Sequence, residues 1–476
     1  PGPDNITNEA LKLAYGILAT PLTELFNRIL ENSETPTQWS ESNIILIYKK
    51  GDPKDIGNYR PISLLPTLYK LFSTIINSRI SPTIEARQPV EQAGFRRGFS
   101  TVDHIHTLEL IIEKYQEQQR PLYLAFIDYQ KAFDTVTRAS IWEILNEQGV
   151  SEKYIEVIKS IYKNNLGRIK LENVGPSFPI ERGLRQGDPL SPTIFIAILE
   201  TIISKIDWKK LGIYIKDSYL SHLRFADDIV ILSESSSQLQ RMIKSLQAAS
   251  ADVSLKINLS KTMTMTNSCK TPIYINGSPL EYTENYIYLG KTISFDRKNN
   301  DTEIERRVQR TWNKYWSLKD IFKSNMPIKI KTKIMNTSLL PCLTYGCQTW
   351  KFTAKAKQKI TTCQRGLERS MLKIKRIDKI RHSKISSIIK ANNALTYAQK
   401  SKWRWAGHVA RLKDQRWTVK VTLWRGPQGK RERGRPITRW EDEIKKVAGP
   451  NWTRTAKDRD KWISLEEAFT QSGVLA

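Results

Sequence analysis

Cysteine is scarce in this chain: four residues in 476, Cys269, Cys342, Cys347 and Cys363, with no C-x-x-C pair. That usage argues against a disulfide-stapled scaffold and fits a reducing compartment. The spacing of Cys342, Cys347, Cys363 and His382 matches no compact zinc module, so helix packing is the expected role for these thiols. No apolar run approaches the ~18 residues of a membrane-spanning helix, and no membrane partner is expected. Acids are also in short supply, 48 Asp+Glu against 76 Lys+Arg, for a formal net charge of +28. An excess this large points to a polyanionic partner, and nucleic acid is the expected one. The text opens at Pro1 as though inside a domain, so a piece of a longer chain is expected.

Where acids are few, their placement matters. Leu223 to Ser233 sets Asp227-Asp228 directly before the β-branched run Ile229 to Leu232. Such a run reads as a buried strand, and two adjacent carboxylates at its start repel unless a partner or a metal joins them. An exposed turn with two Asp at its tip is the competing reading. Leu122 to Asp128 repeats the theme, an apolar strand ending in an acid, followed by Tyr129 to Asp134.

Cations gather at other places. Asn43 to Tyr48 reads as a strand feeding the basic turn Lys49 to Lys54, then Asn58 to Ser63. Such a hairpin brings Lys50 and Arg60 towards one another, a mobile charge and a fixed fork suited to a triphosphate. Gln92 to Ser100 interleaves Gly, Arg and Phe, as single-stranded nucleic acid requires. In Ile180 to Pro192, Gly183 and Gly187 let another chain approach closely. From about Thr302 helix follows helix. Beyond Lys400 the text is basic and rich in Trp, including Trp403, Trp405, His408, Trp424, Arg431, Arg433, Arg435 and Trp440. Stacking on bases and packing of a small helical domain both remain open for these rings.

If the two acid-ended strands are neighbours, Asp128, Asp227 and Asp228 meet at one edge. Two hard divalent ions relieve the repulsion, and Mg²⁺ suits carboxylates and phosphates. Two ions ~3.5–4 Å apart activate an attacking hydroxyl and steady a leaving oxygen. The chemistry is then nucleotidyl transfer.

The ordered set resembles the reverse transcriptases of non-LTR (LINE-type, RTE- or jockey-like) retrotransposons. The elements are Pro1 to Asp4, Asn58 to Ile62, Phe95 to Ser100, Phe126 to Asp128 with Ala132 to Asp134, Leu184 to Pro192, Phe225 to Asp228, and Tyr288 to Gly290. Later text, including Leu343 to Gly346 and Trp405 to Val409, also resembles the C-terminal region of such elements. The resemblance implies an α+β right-hand polymerase with fingers, a palm built on an antiparallel sheet, a helical thumb and a small basic helical C-terminal domain. The expected divisions are 1–100 fingers, 101–298 palm, 299–375 thumb and 376–476 a nucleic-acid-binding region.

The resemblance also implies roles. Asp128 and Asp227 would be the principal ligands of two Mg²⁺ ions, with Mn²⁺ as a substitute, helped by the Tyr129 carbonyl and more variably by Asp228. Phe133 would be a steric gate against the 2′-hydroxyl. Arg60, with Lys50, would bind the triphosphate, and Gln186 and Gly187 would lie against nucleotide and template. Lys261 would give a proton to pyrophosphate, with Lys256 as rival, and Tyr288 to Gly290 would grip the primer. The implied partners are template RNA, a DNA primer or target and dNTPs, with synthesis and particle assembly in the cytoplasm and action in the nucleus. An endonuclease domain upstream of Pro1 is expected to be missing from this chain. The alternatives are an intron-encoded or repair reverse transcriptase, and a domesticated copy that only binds RNA.

Overall fold

The structure is a computed structural model that describes residues 1–49, 51–431, 433–434 and 437–471. Its centre is a five-stranded sheet in the order Glu281–Tyr282, Met263–Thr266, Tyr123–Ile127, Asp228–Ser233, His222–Phe225. Both acid-ended strands are in it, side by side and antiparallel, with Phe126 opposite Val230 and Ile127 opposite Ile229. Their near-continuous apolar text follows from burial on both faces. Ala125, Ile127, Ile229 and Ile231 pack one core with the helices Thr67–Ala86 and Ser191–Ser204. Leu124, Phe126, Val230 and Leu232 pack the other with the helix Thr101–Glu117. One expectation is corrected here. The sheet is not wholly antiparallel, because Met263–Thr266 pairs parallel with Glu281–Tyr282. The intervening segment carries its own hairpin, Tyr274–Ile275 with Ser278–Pro279, and is long enough to return the chain in the same direction.

A second sheet has the order Tyr59–Leu64, Glu41–Tyr48, Leu166–Lys170, Val174–Pro179. The basic hairpin is its antiparallel half, and Leu166–Lys170 joins Glu41–Tyr48 in parallel. Residues 166–179 were expected with the acid-bearing segment 101–298, yet they belong to the sheet of the first hundred residues. A short strand interrupted by Gly167 carries little periodicity, and its partner lies more than a hundred residues away. Packing decides the matter: a Cβ at Gly167 would sit 2.9 Å from Ile44 Cδ1.

Helices dominate from Asn299–Ser317 onward. Cys347 and Cys363 are buried there beside Trp350 and Leu367. Buried residues beyond Asp378 divide between two cores: Ile385, Ile389, Ala394 and Ala398 pack with the preceding helices, and those from Trp403 onward pack elsewhere. Trp403, Trp405, Trp417, Trp440, Trp452 and Trp462 are buried in one core with Thr101–Glu117 and the central sheet. Trp403 and Trp462 stack 3.9 Å apart, at 7°. Trp403, Trp405 and Trp440 are therefore interior packing rather than free platforms for bases.

Candidate active site

Asp227 sits in a two-residue turn, Ala226-Asp227, that joins two antiparallel strands through the Phe225–Asp228 pair. Ala226 adopts φ 55°, the left-handed conformation such a tight hairpin demands. Both sequence readings of the acid pair are thus partly right, since it straddles a turn and a strand start. Asp128 follows Ile127, so continuing the register sets it opposite Asp228. Its backbone is fastened: the Asp128 carbonyl accepts the Asn258 N–H at 2.7 Å, and the Asp128 N–H donates to Thr262 Oγ1 at 3.3 Å. The same segment carries Lys261, whose Nζ lies 3.8 Å from Asp128 Oδ2. Among the described residues Lys261, and not its rival Lys256, forms this ion pair.

Crowding by the cleft walls, then repulsion from Asp227 and Asp128, pushes Asp228 up to about 7. Asp227 is raised as well, first by dehydration and then by Asp128, against the pull of Arg60 and Lys49. Both side chains are nevertheless open to water. Mutual repulsion between the neighbouring carboxylates acts on them even where water reaches them. Dehydration, then Arg60 and Lys261, lowers Lys49, so Lys49 and Arg60 of the basic hairpin and Lys261 of the segment beside Asp128 all stand near the acids. Lys50 lies outside the described residues. The register sets Lys49 with Arg60: Arg60 pairs with Ile47, and Lys49 is two residues on, along the same face.

The Gly-rich loop forms the floor. Gly183 adopts φ 81°, and a Cβ there would be 2.8 Å from the backbone of Phe133 and Asp134. Leu184 N–H donates to the Phe133 carbonyl at 2.6 Å, and Gln186 Nε2 donates to Asp134 Oδ1 at 3.0 Å. On the other side Ser63 N–H donates to the Gln186 carbonyl at 2.8 Å, and Gly187 meets the Ser63 carbonyl. Gln186 and Gly187 thus bridge the basic hairpin and the segment after Asp128. A cleft of about 440 Å³ opens here between Leu46, Pro61, Ser63, Asp134, Gly183 and Gln186. Phe133 is half-buried and stacks on Phe195 at 4.3 Å and 22°. At the opposite side of the acids, Tyr288 is buried, and the Gly290 carbonyl accepts bonds from Arg306 (2.7 Å) and Arg307.

Acids at paired strand ends, cations on a facing hairpin and a glycine-freed floor are the layout of a nucleotide-joining site. Residues 47–293, more than half of the chain, match the family described as reverse transcriptase (RNA-dependent DNA polymerase). The chain belongs to the reverse transcriptase family. It is 33% identical over 267 residues to a transposon-derived protein of Caenorhabditis elegans, covering 52% of this chain and 95% of that one. It is 26% identical over 380 residues to the RNA-directed DNA polymerase from mobile element jockey of Drosophila melanogaster, covering 75% of this chain and 40% of that one. The chain thus spans about two fifths of the jockey polymerase, and the kinship with non-LTR retrotransposon polymerases holds. Among solved structures, apo telomerase from Candida tropicalis gives a TM-score of 0.43 at 13% identity, over 85% of this chain and 74% of that one.

This reverse transcriptase also uses residues in ways that the sequence did not signal. Gln92 to Gly94, expected in a nucleic-acid loop, also shape the Asp turn. Ala226 N–H donates to Gln92 Oε1 at 3.3 Å, and a Cβ on Gly94 would lie 2.4 Å from Ala226 N. Phe99 is not free to stack on bases either, since Arg96 and Arg416 lie over it at 4.6 and 4.0 Å. No signal in the local text distinguishes these uses.

The donors suit a hard cation in kind. Asp128 Oδ2 is buried without a hydrogen bond, and the Tyr129 carbonyl accepts none among the described residues. Among those residues no three His, Cys, Asp or Glu side chains gather into one metal-holding group. The structure therefore brings Asp128, Asp227 and Asp228 to one end of the sheet without closing a cage around an ion.

Proposed function

We propose that this reverse transcriptase copies retrotransposon RNA into DNA by extending a DNA 3′ end, as in target-primed reverse transcription, from dNTPs. The observation that carries the reading is the pairing of Asp128 with the Asp227–Asp228 turn, facing Arg60 and Lys49. Asp128 and Asp227 would hold two Mg²⁺ ions, or Mn²⁺ in their place, with the Tyr129 carbonyl assisting and Asp228 in support. When bound, such ions supply charge neutralisation for the displacement at phosphorus.

The chain's own residues do the rest. Arg60 and Lys49 receive the triphosphate, Arg as a two-pronged donor and Lys as a point charge. Gln186 and Gly187 lie against the nucleotide and the template, and Phe133 stands where a ribose 2′-hydroxyl would fall. Lys261 donates a proton to the leaving pyrophosphate. The Tyr288 to Gly290 turn, tied to the Asn299–Ser317 helix through Arg306 and Arg307, carries the primer end. Template RNA, target DNA and dNTPs are then the partners, and the nucleus is the place of action.

Primer extension on an RNA template tests this. Incorporation by the unaltered chain, abolished in Asp128→Asn and Asp227→Ala with binding retained, is expected. Incorporation that survives Asp227→Ala would overturn the mechanism. Salt-sensitive RNA binding with no incorporation at all would make the chain a binding protein instead.

A further inference from the structure

The catalytic turn is not held by its own hairpin alone. The strand leading into it, His222–Phe225, is an edge of its sheet, and its free backbone groups need partners. Residues 91–93 supply them. Arg224 N–H donates to the Glu91 carbonyl at 2.8 Å, and Ala93 N–H donates to the Arg224 carbonyl at 2.9 Å. This segment makes only a single bridge, Gln92 with Arg224, so something else must hold it in place.

The C-terminal region does so. Trp417 Nε1–H donates to Glu91 Oε1 at 2.8 Å, and the indole is 3% exposed. Glu91 therefore grips the strand before the turn with its backbone and the C-terminal region with its side chain. Next to it, Arg416 is fixed by Asp414 and donates to the Gly98 carbonyl at 3.0 Å and to Asp103 Oδ1 at 3.2 Å. Arg96, near the same Phe99 ring, donates to the carbonyls of Pro89 and Gln92 at 2.6 and 2.9 Å. Asp103 Oδ2 meanwhile accepts the Ser100 N–H and caps the Thr101–Glu117 helix. Both ends of the 89–99 loop are thereby anchored.

We propose that Trp417 and Arg416, acting through Glu91 and the 89–99 loop, are positioning residues for the Asp227–Asp228 turn. The C-terminal region is then part of the catalytic scaffold and not only a holder of nucleic acid. The proposal rests on the polymerase reading for its kinetic consequence, but the brace itself is measurable without turnover.

The experiment compares the full chain with Trp417→Phe, which keeps a ring but loses the donor, with Glu91→Ala, which loses the acceptor, and with Glu91→Gln, which keeps it. Amide exchange at Arg224 and Ala226 is expected to rise about tenfold in the first two, with the Tyr123–Ile127 amides unchanged. Single-turnover incorporation at saturating dNTP should fall about tenfold with KM held within about twofold. Glu91→Gln should restore both. Unchanged exchange in Glu91→Ala overturns the proposal, even for a chain inactive on every template; that inactivity would count against the polymerase reading instead. Faster exchange with undiminished incorporation overturns the positioning role. Should Trp417→Phe fail to fold, the half-exposed Glu91 pair still decides.

Discussion

The ammonium of Lys261 stands 3.8 Å from Asp128 Oδ2, the only buried carboxylate oxygen among the three acids that lacks a hydrogen bond. The two are joined through backbone as well, because Asn258, three residues before Lys261, donates to the Asp128 carbonyl. A lysine whose side chain is otherwise mostly exposed is thus tethered to a metal-ligand candidate, which is where the proposed proton donor to pyrophosphate would have to stand.

Lys261→Ala should therefore lower single-turnover incorporation about 10²-fold, the usual range for a general acid, with little change in melting temperature. Lys261→Arg restores the charge but holds its proton too tightly, and should recover little. Equal rates for Lys261→Ala and the unaltered chain would remove this lysine from the reaction.

Arg60→Ala should raise the dNTP KM by ten- to a hundredfold, roughly the strength of charge-assisted hydrogen bonds, and Lys49→Ala should raise it less. Steady-state titration of dNTP checks this. An unchanged KM in both variants would mean that the hairpin does not meet the triphosphate.

Phe133→Val should admit ribonucleotides, shifting the dNTP-to-rNTP ratio of kcat/KM by about 10²-fold. The ring's stacking on Phe195 gives it a fixed place. Loss of stability without loss of sugar selectivity would make Phe133 a packing residue only.

Acid should loosen the C-terminal region. Dehydration, then Lys114, Lys291 and Lys402, brings buried His106 down to about 3. Its neutral ring accepts from Trp405 Nε1 at 3.2 Å and lies 3.0 Å from Thr422 Oγ1. Above its ordinary value near 6.5 the folded and unfolded states bind equal protons, so nothing is lost. Below it the unfolded state binds more, and stability falls until about pH 3. The loss by pH 5 is roughly 2 kcal/mol from this residue. Denaturant melts at pH 7 and pH 5 should show the unaltered chain losing about 2 kcal/mol more over that interval than His106→Gln. Equal losses would refute it.

Different physical signals made the parts unequally readable. The paired strands around Asp128 and Asp227 were legible because burial on both faces leaves an unbroken apolar run ending in an acid. The basic hairpin was legible too, and its register set Lys49 on the face of Arg60. The strands at 166–179 went unread because strand pairing over more than a hundred residues leaves no local trace. The Trp residues and the Gln92–Ser100 loop were ambiguous for another reason. Rings and cations that stack on bases have the same composition as rings and cations that pack on each other.

By itself the sequence determined the family, the acid-bearing strands and the need for a polyanionic partner, because order of motifs, apolar patterning and net charge are local or additive properties. Only the tertiary structure decided that Lys49 stands near the acids, that the tryptophan-rich stretch from Trp403 shares a core with the sheet, and that Glu91 links Trp417 to the strand before the Asp227–Asp228 turn. Those outcomes depend on which buried surfaces and unpaired backbone groups meet across long stretches of chain, and no residue carries that information alone.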